Sequence, residues 1–264
     1  MAVVRLRASL REKVWGRRKL SPWFPDAAEP VGEAWFLADG EELPLLVKLL
    51  FTSDRLSVQV HPDDGEDGPR GKTEMWHILE AAPDATIALG FRERISRERL
   101  GEAVRTGEVE ELLNWVPVRA GQTFFTPAHT VHAIGAGSVL CEIQQNSDVT
   151  YRLWDYGRPR ELHVEQALRV SDLGVHGGAV TARETAPGVE ELVRCRFFET
   201  DLMTLAAGES RPVEERTCHL WICLEGGGEV DGQECVAGEV WWIQGSGTLR
   251  SDVPSRFLRC FVPR

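Results

Sequence analysis

GQTFFTPAHTVHAIGAG, residues 121 to 137, runs from a short apolar segment through a proline turn into a histidine. Gly121, Pro127 and His132 keep the spacing G-x5-P-x4-H. A turn of Pro and small residues just before a His places that imidazole at the start of a new strand, a rigid mount for a metal ligand.

Working outward, the surroundings of this corner are β-like. Upstream, LPLLVKLLF, LSVQVH, TEMWHILEA and ATIALGF are short apolar or alternating segments separated by turn residues. Downstream come SVLCEIQQ and TYRLWDY, then ELHVEQALRV, whose residues 165–170 could form a helical turn. SRERLGEAVRTGEVEELLNW, residues 96–115, breaks the rhythm with helical spacing at Leu100, Val104 and Leu112–Leu113; Ser96 is its N-cap and Gly107 divides it. A polar connector at about 171–188 leads into further β-like pieces, RCRFFETDLMTL, HLWICLEGGGEV, EVWWIQG and RFLRCFVP. The pattern predicts a mainly β chain of two units. Residues 1–42 form a lead-in with little structure of its own that packs on them, 43–180 the first unit with its helical segment 96–115, and 181–264 the second.

Composition narrows the partners. With 264 residues, 42% hydrophobic and 27% charged, the chain can bury a sizeable core. A net charge of −11 repels nucleic-acid backbones, so an anionic ligand would need a few Lys and Arg gathered in a pocket. The opening MAVVRLRASLREKVWG has too short an apolar run for a signal peptide, and no segment approaches the roughly 18 apolar residues of a membrane span. A cytoplasmic protein, with no nucleic-acid or membrane partner, is expected. The six cysteines form no CxxC pair and read as buried thiols.

Strand periodicity puts Gln59 with His61, Lys72 with Glu74 and Glu142 with Gln144 on common faces. Any one pair could face water; the turn-mounted His132 shifts the balance toward a shared site. His77, His163, His176 and His219 read as structural or surface residues, and Trp76 and Trp154 as packing.

The His132 corner resembles the cupin superfamily, whose second motif is G-x5-P-x-G-x2-H, with His129 standing at the usual Gly. Either the turn differs here or a histidine is tolerated at that position. Longer blocks sharpen the resemblance. PLLVKLL, LSVQVHPDD, GKTEMWHI, EELLNWVPVRAGQTFFTPAHTVHAIGAG, EIQQNSDVTYRLWDYGR and RELHVEQAL look like successive blocks of type I mannose-6-phosphate isomerases, while EKVWGRRKL and VGEAWFLADG resemble the opening of the bacterial short form. The likeness is close over about residues 12–168 and loose beyond.

That resemblance implies two cupin-type β-barrels of jelly-roll type, the second without metal, and one Zn²⁺ per chain held by Gln59, His61, Glu74 and His132. It implies interconversion of mannose 6-phosphate and fructose 6-phosphate through a cis-enediol. Arg152, Lys72 and Glu142 match the family's catalytic positions, with Ser57 and Lys48 as phosphate or supporting contacts. A non-catalytic cupin that binds a sugar phosphate through a metal would share the ligands without requiring Lys72, Glu142 and Arg152 together. An iron dioxygenase is disfavoured by the Gln59 and Glu74 pattern.

Overall fold

The computed structural model describes residues 2–263. The chain is mainly β, as expected, and its strands form four antiparallel sheets stacked in order. A six-stranded sheet runs Arg7–Arg17, Val31–Leu37, Leu45–Phe51, Ser138–Gln145, Glu74–Ala81, Thr123–Thr126. Against one face lies a five-stranded sheet in the order Tyr151–Trp154, Val58–Val60, His132–Ile134, Thr86–Phe91, Leu113–Pro117. Its other face meets a seven-stranded sheet built mostly from residues 183–262, which a four-stranded sheet covers in turn.

This stacking explains the composition of the strands. Leu45–Phe51 reads LLVKLLF because it is buried on both sides. Leu45, Val47, Leu49 and Phe51 meet Leu220, Ile222 and Leu258 of the seven-stranded sheet. On the other side Leu50 joins Trp76, Ile78 and Leu140 against Ile87, Leu89 and Ile134 of the five-stranded sheet. Lys48, in the middle of that apolar run, is 3% exposed and must therefore have a charged partner inside.

Helices cover the outer face of the five-stranded sheet. Leu100, Ala103 and Val104 of the helix Arg97–Thr106, with Ala167 of Val164–Val170, pack on Val58, Val60, Ala88 and Phe91. Ser96 accepts from the backbone N–H of Arg99, and Gly107 ends the first helix at φ 84°, as the spacing predicts. The helical segment stops earlier than residue 115: Val109–Leu112 is a single turn, and Leu113–Pro117 is a strand paired with Thr86–Phe91. The apolar Leu112–Leu113 pair therefore belongs to a helix-to-strand junction.

A second correction concerns residues 1–42. This stretch is built into the sheets: Ala2–Arg5 pairs with Val240–Gln244, and Arg7–Arg17 and Val31–Leu37 form an edge of the six-stranded sheet. Its charged residues lie on the open side of an edge strand, which hides the alternation.

Two buried histidines away from the His132 corner, His77 and His219, contribute to the acid sensitivity of the fold. Burial pushes the pKa of His77 down to about 4 and that of His219 to about 3, so both are neutral in the folded chain. Unfolded, each titrates near 6.5. The unfolded state therefore binds more protons below that value: stability is full above about pH 6.5 and declines as pH falls toward 4, by on the order of 3 kcal/mol for His77 alone. Urea midpoints in the presence of chelator should fall between pH 7 and 4.5, and less steeply for His77→Gln. An identical slope in that variant contradicts the assignment to His77.

Candidate metal centre and substrate cavity

The two facing sheets bring the strand pairs of the sequence together. His132 begins its strand opposite Gln59, with His61 just beyond the end of Val58–Val60. Glu74 starts a strand of the opposite sheet. The corner before His132 is held by His129, whose φ of 74° shows that a histidine does occupy the left-handed position usually given to Gly. Its N–H donates to the His61 carbonyl at 2.8 Å and its Nε2 lies 2.7 Å from Glu66 Oε2, contacts that offset the backbone cost.

His61, Glu74 and His132 are fully buried, and their ligand atoms lie within 4.8 Å of one another. His61 Nδ1 donates to the Val149 carbonyl and His132 Nδ1 to the Thr130 carbonyl, both at 2.9 Å. These bonds fix the tautomer, so each Nε2 presents a lone pair to the cluster. Burial depresses both imidazole pKa values, that of His132 to about 4, which keeps the rings neutral and able to ligate. Their Nε2 atoms stand 3.6 and 3.4 Å from the Glu74 carboxylate.

Glu74 carries the clearest sign of an absent partner. Its Oε2 is held by Lys72 Nζ at 3.0 Å, but its buried Oε1 has no hydrogen-bond donor. Burial pushes the carboxyl pKa up and Glu142 adds to this, while Lys72 offsets only part of the cost. Two inward lone pairs around a buried carboxylate with one unsatisfied oxygen form a donor set suited to a divalent cation. Gln59 extends the set: its amide Nε2 is 3.3 Å from His132 Nε2, and a 180° turn of the amide brings Oε1 to that place. Ser57 Oγ lies 3.3 Å from Gln59 Oε1, so its hydroxyl is turned toward the amide.

Beside the cluster opens a cavity of ≈ 270 Å³, the scale of one small ligand. Gln59, Lys72, Glu142 and Arg152 all line it, as do Ser57 and Lys48. Lys48 Nζ meets Glu142 Oε1 at 2.9 Å, and Trp76 Nε1 donates to Glu142 Oε2 at 3.1 Å. Burial opposes ionisation of Glu142, but Lys48 and Lys72 outweigh it and hold the carboxyl well below its usual range. For Lys72 burial likewise opposes the charge, and Glu74 and Glu142 push the pKa up to about 12. Trp76, expected only to pack, thus also steadies the site, and its ring meets His132 edge-on at 5.2 Å.

Arg152 makes no ion pair among the described residues; its Nη1 donates to the Glu161 carbonyl at 2.7 Å and its Nε has no partner. Asp155 is instead taken by Arg160 and Arg158. Burial, with Arg160 and Arg158 nearby, lowers the Arg152 pKa, a crowding of like charge that an anion would relieve.

Four further charged residues line the cavity without having been singled out in the sequence: Lys13, Glu33, Asp148 and Arg160. Lys13 and Glu33 come from the edge strand and its neighbour, both hidden in the lead-in, and no spacing rule relates them to His132. Asp148 stands in a loop, although its place four residues before Arg152 is a usable signal.

No protein-family model matches the chain. Among proteins of known assignment, it is 34% identical over 240 residues to the mannose-6-phosphate isomerase of Streptococcus mutans, covering 73% of this chain and 76% of the relative. It is 36% identical over 216 residues to the mannose-6-phosphate isomerase ManA of Bacillus subtilis, covering 75% and 67%. The crystal structure of the mannose 6-phosphate isomerase from Bacillus subtilis superposes with a TM-score of 0.87 at 24% identity, covering 99% of this chain and all of that one. That superposition shows the shared fold.

Proposed function

This chain belongs to the mannose-6-phosphate isomerases, and on that premise we propose that it interconverts mannose 6-phosphate and fructose 6-phosphate at the His61–Glu74–His132 centre, in the cytoplasm. The observation that supports this most is the buried Glu74 carboxylate, whose Oε1 has no hydrogen-bond donor, set between two inward imidazole nitrogens at the end of a cavity lined by lysines and arginines. His61, Glu74, His132 and the Gln59 amide oxygen would hold one Zn²⁺, a set of nitrogen and oxygen donors that suits it. When bound, zinc supplies a compact divalent charge that polarises the sugar's oxygens.

The chain's own residues account for the rest. Isomerisation of the open-chain sugar takes a proton from C2 and returns one to C1, with O1 and O2 exchanging hydroxyl and carbonyl character through an enediolate. Of the cavity's carboxylates, Glu142 is held by Lys48 and Trp76, and Glu33 by Lys13 and Trp35. Asp148 is occupied by no hydrogen bond or ion pair among the described residues, so it is the carboxylate free to carry the proton between C2 and C1. Lys72 and Arg152 donate hydrogen bonds to the oxygens on which negative charge develops. Glu74 and Glu142 keep Lys72 charged, and its contact with Glu74 orients it. The second unit, from about residue 181, serves as the scaffold that buries the back of the six-stranded sheet.

Turnover in D₂O tests the reading. Fructose 6-phosphate should form from mannose 6-phosphate with solvent deuterium at C1. Product without any deuterium at C1, even after repeated passage through the reaction, would favour a hydride shift over the enediol route, and no product at all would leave a non-catalytic binder.

A further inference from the structure

The cavity's five cations are not equally available to a ligand. Lys48 is ion-paired with Glu142 and lies 4.5 Å from the centre of the Trp35 ring. Lys72 is committed to Glu74 and His61. Arg160 is fixed by two 2.6 Å hydrogen bonds to Asp155 but keeps Nη1 unpaired in that fork. Lys13 differs: its side chain is 34% exposed and its one carboxylate partner is Glu33, at 3.1 Å. Glu33 Oε2 also accepts from Trp35 Nε1 at 3.0 Å, so it stays satisfied when Lys13 turns away. A pair this accessible to water exchanges one anion for another at little cost.

The backbone is built to deliver Lys13. The ladder between Arg7–Arg17 and Val31–Leu37 breaks register so that both Glu12 and Arg17 align with Val31, which bulges Lys13–Gly16 out of the strand. Gly32 makes the bulge possible: a Cβ there would lie 2.6 Å from Lys13 Cβ and 2.7 Å from the Trp15 ring. This strand is the edge of the six-stranded sheet, and Tyr151–Trp154, which carries Arg152, is the edge of the five-stranded one. Lys13 therefore enters the cavity mouth from the sheet opposite Arg152.

We propose that Lys13 is a substrate-binding residue that grips the phosphate of the sugar phosphate together with Arg160, with Glu33 holding its ammonium when the site is empty. This rests on the isomerase reading for the identity of the substrate. A phosphate dianion needs several unneutralised donors at once, and the buried lysines on the cavity floor are already spent on carboxylates. Because the phosphate is remote from C1 and C2, Lys13 acts on binding and not on the chemical step.

The test compares Lys13→Ala, Lys13→Arg and Glu33→Gln with the parent protein. Lys13→Ala should raise KM for mannose 6-phosphate and the inhibition constant of inorganic phosphate together, by about tenfold or more, with kcat changed less than about threefold. Lys13→Arg should restore most of both, and Glu33→Gln, which removes the anion competing for Lys13, should lower the inhibition constant of inorganic phosphate. If Lys13 only ties two strands together, Lys13→Ala and Glu33→Gln will reduce the melting temperature alike and leave both constants at their parental values, which overturns the proposal. Calorimetric binding of inorganic phosphate keeps the two readings separable. A parent protein without isomerase activity defeats the reaction assigned above, while a tenfold weaker phosphate affinity in Lys13→Ala still upholds the clamp and an unchanged affinity still rejects it.

Discussion

Replacing His132 with alanine is expected to lower zinc affinity by more than about a hundredfold and to abolish measurable isomerisation. Loss of even an outer partner of a metal ligand costs about 10–100-fold, and His132 offers the cation a lone pair directly. Its Nδ1–H bond to the Thr130 carbonyl holds that lone pair in place. The variant also leaves Glu74 with Lys72 alone to offset the burial that pushes its carboxyl toward the protonated form. His61→Ala should behave alike, since its ring is anchored in the same way to Val149. Metal analysis after dialysis checks both variants; parental zinc content in each would remove these residues from the ligand set.

Arg152→Ala is expected to reduce kcat/KM by about 10²–10³-fold, or roughly 3–4 kcal/mol of transition-state stabilisation, with zinc content and melting temperature nearly unchanged. The reason lies in what Arg152 does not touch. A structural arginine would be paired with Asp148 or Asp155, yet among the described residues it has neither, and its Nε is unpartnered beside Arg158 and Arg160. Little folded-state energy depends on the guanidinium, whereas a developing enediolate or a phosphate would find it free. Measuring turnover and thermal melting on one preparation separates the roles, because a lowered melting point with near-normal turnover would assign Arg152 to structure.

Much of the site could be read from the chain because it rests on short-range geometry. Gln59 and His61 are two apart at the end of a strand, Lys72 and Glu74 are two apart at the start of another, and a proline corner fixes His132; such spacings survive folding unchanged. Lys13 and Glu33 could not be found this way. Lys13 sits on an edge strand whose exposed side carries charge, so hydrophobic alternation is masked there, Glu33 lies on the strand beside it, and the bulge that turns Lys13 inward depends on Gly32 from that neighbouring strand. The role of Lys48 was likewise visible only as an anomaly. A lysine inside LLVKLLF calls for a buried anion, but only the pairing of that strand with Ser138–Gln145 shows the anion to be Glu142. The stacking of four sheets is a product of long-range contacts, which local pattern does not encode.

In the proposed function, the His61–Glu74–His132 cluster that would hold the metal is also the isomerase site. Stripping the protein with a chelator, adding zinc back stepwise and following fructose 6-phosphate formation from mannose 6-phosphate tests it directly. Activity should be absent in the stripped protein, rise in proportion to added zinc and level off at one equivalent per chain. Undiminished fructose 6-phosphate formation by protein shown to hold no divalent metal would contradict it.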